Sequence, residues 1–161
     1  MKKFFGALLC ALFLVTAACG QPQKYDIRAR VINVHDGDTF TVDVGGKRQR
    51  IRMYAIEAPE LNQSYGRQSQ RYLAQRIEGE TVDIEKIDID QYNRILGRVY
   101  FKGDDINLEM IREGNAWFYR GYKPTKEDVY RKTETEAKNA RKGFWRERNP
   151  VYPLEWKKKN N

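Results

Sequence analysis

The sequence predicts an α+β chain, a small five-stranded barrel packed by about three helices, and three observations lead there. Between residues 25 and 101, five short runs alternate apolar with polar residues, the period-two mark of half-buried strands. Three other stretches carry helical spacing, bounded by residues that start or stop helices. The order β-β-β-α-β-β-α-α, with short strands and tight turns, suits a closed barrel flanked by helices.

Taken in order, residues 25–34 place Tyr25, Ile27, Ala29 and Val31 at alternating positions. The second strand, 39–44, sets Phe40, Val42 and Val44 on one face, and Gly45-Gly46 is a hairpin signal. The third, 47–56, opposes Ile51, Met53 and Ala55 to Arg48, Arg50 and Arg52. Residues 66–78 read as a helix ending at Gly79. Strands follow at 81–88 and 95–101, joined through Asp90-Gln91-Tyr92-Asn93-Arg94, and Gly103-Asp104-Asp105 is a turn. Asn107 is expected to cap a short helix that stops at Gly114. Pro124-Thr125 opens a longer helix, with Val129, Thr133, Ala137 and Ala140 on one side and Gly143 beyond its end. The tail from Asn149, with two prolines and Lys157-Lys158-Lys159, reads as a partly docked, solvated end. The OB-fold is the natural candidate for this order.

The chain of 161 residues has room for one ordinary domain. Residues 1–18 read as a signal peptide: Lys2 and Lys3, an apolar run from Phe4 to Val15, then Thr16-Ala17-Ala18. That run is shorter than the roughly twenty residues of a membrane span, and no second one follows, so an integral membrane protein is excluded. Residues 19–24 would be a tether, 25–146 the folded domain and 147–161 a basic tail. The two cysteines are Cys10, inside the signal, and Cys19, at its end, so a processed chain has no internal disulfide. Cys19 resembles the acylated cysteine of bacterial lipoproteins. The expected location is therefore the cell envelope through a lipid anchor; Thr16 departs from the usual aliphatic residue and leaves plain secretion as the other reading. The formal charge is +8. Without Lys2 and Lys3, 28 basic residues face 22 acidic ones, about +6, a balance that suits polyanionic partners as well as simple solubility.

Three segments carry chemistry. Asp36-Gly37-Asp38-Thr39 is a turn by composition, and the EF-hand is excluded because the twelfth position from Asp36 is Lys47. Asp38 shares its parity with Phe40 and Val42, and a carboxylate ending a core-facing row needs a cation or several donors. Glu57 continues the parity of Ile51, Met53 and Ala55 in the same way. Two acids at the mouths of neighbouring strands can hold a hard cation. Arg52 lies on the opposite parity, so alternation alone does not bring it to that cation, and the bend at Pro59 leaves Glu60 unplaced. The third segment, Asp90 to Arg94, reads alone as an exposed polar loop.

Together the three segments resemble the staphylococcal nuclease family: Asp-Gly-Asp-Thr, then Arg52 with Glu60 eight residues on in an acid-x-Pro-Glu segment, then Asp-x-Tyr-x-Arg. The likeness extends through Leu96-Gly97-Arg98-Val99-Tyr100, Ile111-Arg112-Glu113-Gly114 and Tyr122-Lys123-Pro124, covering about 25–146. It implies a monomeric, calcium-dependent endonuclease on an OB-fold that cuts DNA and RNA to 3′-phosphate ends. By this resemblance Asp38, Glu57 and the carbonyl of Ala58 are calcium ligands. Glu60 matches the acid that activates water, Arg52 and Arg94 the arginines that hold the phosphate, and Tyr92 and Tyr122 the tyrosines lining the nucleotide pocket. Paired guanidiniums suit the charge that builds on phosphoryl oxygens.

The chain departs from the family in places. Glu57 replaces the usual Asp, Ala58 replaces a Thr of the type member, and Arg120 stands where that member has a second pocket tyrosine. The segment after Glu60 is also short. With His35 the single histidine, nucleases built on several histidines are excluded. A non-catalytic OB-fold nucleic-acid-binding module is the alternative; it has no need of the full set Asp38, Arg52, Glu57, Glu60 and Arg94. A purely structural lipoprotein explains Cys19 but not those five residues.

Overall fold

The computed structural model describes residues 25–121 and 128–160. The signal segment, Cys10, Cys19, Tyr122 and the expected helix start at Pro124-Thr125 lie outside the described residues.

Five strands close a barrel: β1 (Ile27–Val34), β2 (Thr39–Val44), β3 (Lys47–Met53), β5 (Thr81–Ile89) and β6 (Ile95–Phe101). Antiparallel pairs β1–β2, β2–β3, β1–β5 and β5–β6 form the wall. A parallel pairing of β3 with β6, from Ile51↔Ile95 to Met53↔Gly97, shuts it. This is the OB-fold arrangement. Alternation fills the interior as the pattern requires: Val31, Phe40, Val42, Ile51, Met53, Ile84 and Val99 are fully buried. Each large apolar side chain so buried contributes about 1.5–3 kcal/mol. Val44, expected on that face, is exposed at the barrel rim.

Helix α1 (Gly66–Ile77) covers the barrel through Leu73 and Ile77. Helix α2 (Ile106–Arg112) follows a two-residue strand β7 (Asp104–Asp105) and inserts Ile106, Met110 and Ile111. Helix α3 (Asp128–Asn139) packs on α2, with Tyr130 donating to Asp105 Oδ2 at 2.6 Å. The short pair β4 (Ile56–Glu57) and β8 (Trp117–Phe118) lies beside the barrel. A single 3₁₀ turn, Gly143–Arg146, and helix α4 (Pro153–Asn160) complete the described chain. There Trp117 stacks on Phe144 at 3.7 Å and meets Tyr152 edge-on at 5.9 Å, a second, aromatic core.

Three expectations change. The third strand stops at Met53, not 56, because the chain turns at Tyr54–Ala55 with Ala55 at φ +60°. Asp105, not Asn107, caps α2, its Oδ1 accepting from Leu108 N at 2.9 Å. Asn107 is wholly buried instead: its Oδ1 accepts from Val99 N (2.9 Å) and its Nδ2 donates to the carbonyls of Tyr54 (2.8 Å) and Gly97 (3.2 Å). It stitches β6 to the turn after β3. Finally, residues 153–160, expected as part of a partly docked, solvated end without regular structure assigned, form a helix that begins directly after Tyr152 of the aromatic cluster.

Candidate active site

The turn 36–39 sits where β1 passes into β2. Its backbone closes by His35 N and Asp36 N donating to Thr39 O, and Asp36 Oδ1 accepts from Asp38 N at 2.9 Å. Gly37 is required by close approach: a Cβ there would collide with Ser69 Oγ of α1 and lie 2.7 Å from the Ala58 Cβ. Asp38, only 6% exposed, is held by Thr39 Oγ1 (3.0 Å) and by Ala58 N, which donates to Oδ2 at 2.7 Å. Its carbonyl accepts from Met53 N at 2.8 Å, tying the turn to the end of β3.

The turn at Tyr54–Ala55 then reverses the parity on which Arg52 and Glu57 stood apart. The chain returns as β4, and Glu57 comes back beside Arg52. The Nη1 of Arg52 donates to the carbonyls of Met53 (2.8 Å) and Ile56 (2.9 Å), which fixes the guanidinium plane. Its Nη2 lies 2.6 Å from Glu57 Oε2 and 3.3 Å from Asp38 Oδ2. Alternation keeps Arg52 off the acids' face; the fold brings it onto both.

Beyond Pro59, Glu60 is set by a local loop: Glu60 N donates to Gln63 Oε1, and Gln63 N to Glu60 O at 2.9 Å. Gly66, the first residue of α1, abuts the Glu60 carbonyl so closely that any Cβ would clash. On the opposite wall, Asp90 organises the 90–94 loop. Its Oδ1 accepts from the backbone N–H of Tyr92 and Arg94, both at 2.9 Å, and its Oδ2 from Arg94 Nε at 2.7 Å. Tyr92 is 70% exposed and lies at the mouth, its ring 5.3 Å from the Arg94 guanidinium.

These pieces line one cleft of about 580 Å³. Asp38, Arg52, Glu57, Ala58, Glu60, Tyr92 and Arg94 all border it, so every expected site residue within the described region converges there. Arg120 does not: it lies over the Tyr152 ring at 4.3 Å and pairs with Glu155, so the cleft is lined by Tyr119 instead.

The electrostatics follow from crowding five carboxylates, Asp36, Asp38, Glu57, Glu60 and Asp90, around one cleft. Burial first, then the charge of Asp38, pushes Asp36 up to about 7. Burial and the same neighbour raise Glu57, with Arg52 and Lys157 opposing. Burial also works against the charge of Asp90, but the hydrogen bonds from Arg94 and Tyr92 outweigh it and hold that carboxyl below the usual range. Such a cluster favours a cation. The donors are hard oxygens, which suits calcium or magnesium over softer metals. Among the described residues no three ligating side chains are pre-assembled, so Asp38 and Glu57 would need carbonyl and water oxygens beside them.

Three charged cleft residues lie outside the expected site. Asp36 stands in the first motif, where its composition signals only a turn. Asp90 stands in the third, and its bonds to the loop and to Arg94 were not legible. Lys157 arrives from α4, its Nζ 2.7 Å from Glu60 Oε1 and 3.7 Å from Glu57 Oε1. Its only sequence signal was a lysine run near the end of the chain.

Comparison with known proteins agrees with this arrangement. The family model described as "Staphylococcal nuclease homologue" matches residues 50–147. An "Uncharacterized endonuclease" of Escherichia coli is 39% identical over 133 residues, 82% of this chain and 86% of that protein. Another from Haemophilus influenzae is 31% identical over 158 residues, 98% of this chain and 86% of its own length. A "Micrococcal nuclease" of Shigella flexneri is 34% identical over 168 residues, 98% of this chain and 96% of that one. With the three motifs set around one cleft of an OB-fold barrel, this chain belongs to the staphylococcal nuclease family.

Proposed function

We propose that this protein is a calcium-dependent endonuclease that hydrolyses phosphodiester bonds of DNA and RNA to leave 3′-phosphate ends. The observation that carries the reading is that Arg52 and Arg94, from β3 and from the 90–94 loop, border the same cleft as Asp38, Glu57 and Glu60. In this reading the two guanidiniums grip the phosphate and stabilise the charge that grows on its equatorial oxygens. Arg52 is pre-organised by two backbone carbonyls and Arg94 by Asp90, so neither needs reorienting as that charge develops. Glu60 orients a water on the phosphorus and takes its proton as the 5′ oxygen departs and is protonated from solvent. Asp38 and Glu57, with the carbonyl of Ala58, would hold calcium. When bound, calcium supplies Lewis-acid polarisation of a phosphoryl oxygen. Tyr92 and Tyr122 are assigned to the nucleotide, with the exposed Tyr92 ring offering a stacking face at the mouth. The protein acts as an exported monomer, anchored through acylated Cys19.

The test is cleavage of single-stranded DNA by the full chain with calcium and then with a calcium chelator, beside Arg94→Ala. Cleavage that requires both calcium and Arg94 supports the reading, with end-labelled products showing which end keeps the phosphate. A folded protein that binds the strand but cuts under no metal would make it an OB-fold binding module.

A further inference from the structure

The lysine run at the end of the chain is not a loose tail. Tyr152 is buried against Trp117, and its hydroxyl accepts from Arg120 N at 3.3 Å. Gln63, in the loop that follows Glu60, donates to the Val151 carbonyl. The segment leading into α4 is therefore pinned to the loop that carries the proposed base. From that anchored start Lys157, one helical turn in, reaches the cleft with its side chain 39% exposed, while Lys158 and Lys159 stay on the surface.

What Lys157 does there follows from how Glu57 is divided. One oxygen, Oε2, is taken by Arg52 at 2.6 Å; the other, Oε1, faces the Lys157 ammonium at 3.7 Å. The same ammonium is ion-paired to Glu60 at 2.7 Å. A divalent cation that takes Glu57 as a ligand brings two positive charges to the oxygen Lys157 faces, so cation binding and the Lys157 contact oppose each other. By linkage, each weakens the other by the same factor.

We propose that Lys157 is a tethered counter-cation that competes with the divalent cation for Glu57 and covers Glu60 until that cation is bound. This rests on the calcium reading above. The helix thus makes exposure of the base conditional on metal loading, since the ammonium leaves both carboxylates together. It also raises the calcium concentration the site requires.

Calorimetric titration of calcium into the full chain tests this without a turnover assay. Lys157→Gln is expected to bind calcium about tenfold more tightly than the unaltered protein, a Coulombic effect discounted for partial exposure. Lys158→Gln makes the same change in net charge on the same helix and is expected to stay within about twofold. Lys157→Arg, which keeps the charge, should also stay close to the unaltered protein. Lys157→Met repeats the first test should the glutamine variant fold poorly. Equal tightening by Lys157→Gln and Lys158→Gln, or none by either, overturns the proposal while leaving the nuclease reading untouched. Absence of calcium binding by every variant, the unaltered chain included, overturns the calcium assignment and this proposal with it.

Discussion

In the proposed reading Arg52 has a structural as well as a chemical role, and Arg52→Ala separates the two. The side chain is 13% exposed and meets two backbone carbonyls and two buried carboxylates at once. Removing it leaves Glu57 and Asp38 facing each other without their central cation. Breaking a buried ion pair from one side costs about 3–5 kcal/mol. Lys157 still offsets part of the charge, which places the expected loss near the lower end, about 3 kcal/mol. Arg94→Ala is the comparison. Its partner Asp90 keeps the backbone N–H of Tyr92 and of residue 94, so about 1 kcal/mol or less should be lost. Each variant is expected to lose at least about a hundredfold in kcat/KM, since each removes charge stabilisation from the transition state. Urea unfolding of the full chain reads the stability difference. With a slope of about 1–3 kcal/mol per molar urea, a difference of about 2 kcal/mol should put the midpoint for Arg52→Ala roughly 0.7–2 M below that for Arg94→Ala. Equal midpoints would mean that the acids do not depend on Arg52 for their burial, and the charge accounting of the site would be wrong.

Two further outcomes test how the frame holds the site. Asn107→Ala removes the side-chain bonds to the buried Val99 N–H and to the Tyr54 and Gly97 carbonyls and opens a small void, so urea unfolding should show a loss of about 2–5 kcal/mol. Glu109 ties α1 to α2 through Arg76 (2.6 and 2.8 Å) and Tyr72 (2.7 Å), and the Arg76 hydrogen bonds depress its carboxyl below the ordinary 4.5. A depressed carboxyl stabilises the fold above its unfolded value and ceases to do so as the pH falls through its folded value. Glu109→Gln should therefore be less stable than the unaltered protein at neutral pH, and the gap in melting temperature should close as the pH drops below about 4.5. A gap that stays constant from pH 7 to 3 would contradict the assigned interaction.

How far the sequence could be read depended on whether each signal was local. Strands β2 and β6 lie where period-two runs between turn residues place them, because each run faces one core and ends at a turn. The end of the third strand is not legible because nothing local marks the Tyr54–Ala55 turn: alanine at positive φ is unusual, and the turn is held by Tyr54 N donating to Gly97 O and Ala55 O accepting from Tyr119 N, partners distant in sequence. The same turn decides the site, since period-two alternation sets Arg52 and Glu57 on opposite faces of a strand that in fact ends between them. Asn107 looked like a cap because asparagine usually is one; its side chain instead serves three backbone groups contributed by β6 and the turn. Motif order, by contrast, placed the cleft residues without any of this geometry. Lys157 escaped because its position depends on Tyr152 packing on Trp117, a contact between segments thirty-five residues apart.

The location of the cleft follows from the same breaks in regularity. Inside the barrel, strand alternation leaves no place for charge, and the fully buried residues there are apolar. At its mouth, the 36–39 turn, the 54–55 turn and the 90–94 loop each interrupt a strand, freeing backbone N–H and carbonyl groups that must find partners. Asp38 takes the Ala58 N–H, Arg52 the Met53 and Ile56 carbonyls, and Asp90 the Tyr92 and Arg94 N–H. The charged side chains are therefore fixed by bonds that the turns themselves require. That makes the constellation rigid before any ligand enters. In the proposed competition, Arg52 holds Oε2 of Glu57 while Lys157 reaches Oε1 on a flexible side chain, so the ammonium is the group that yields to a metal.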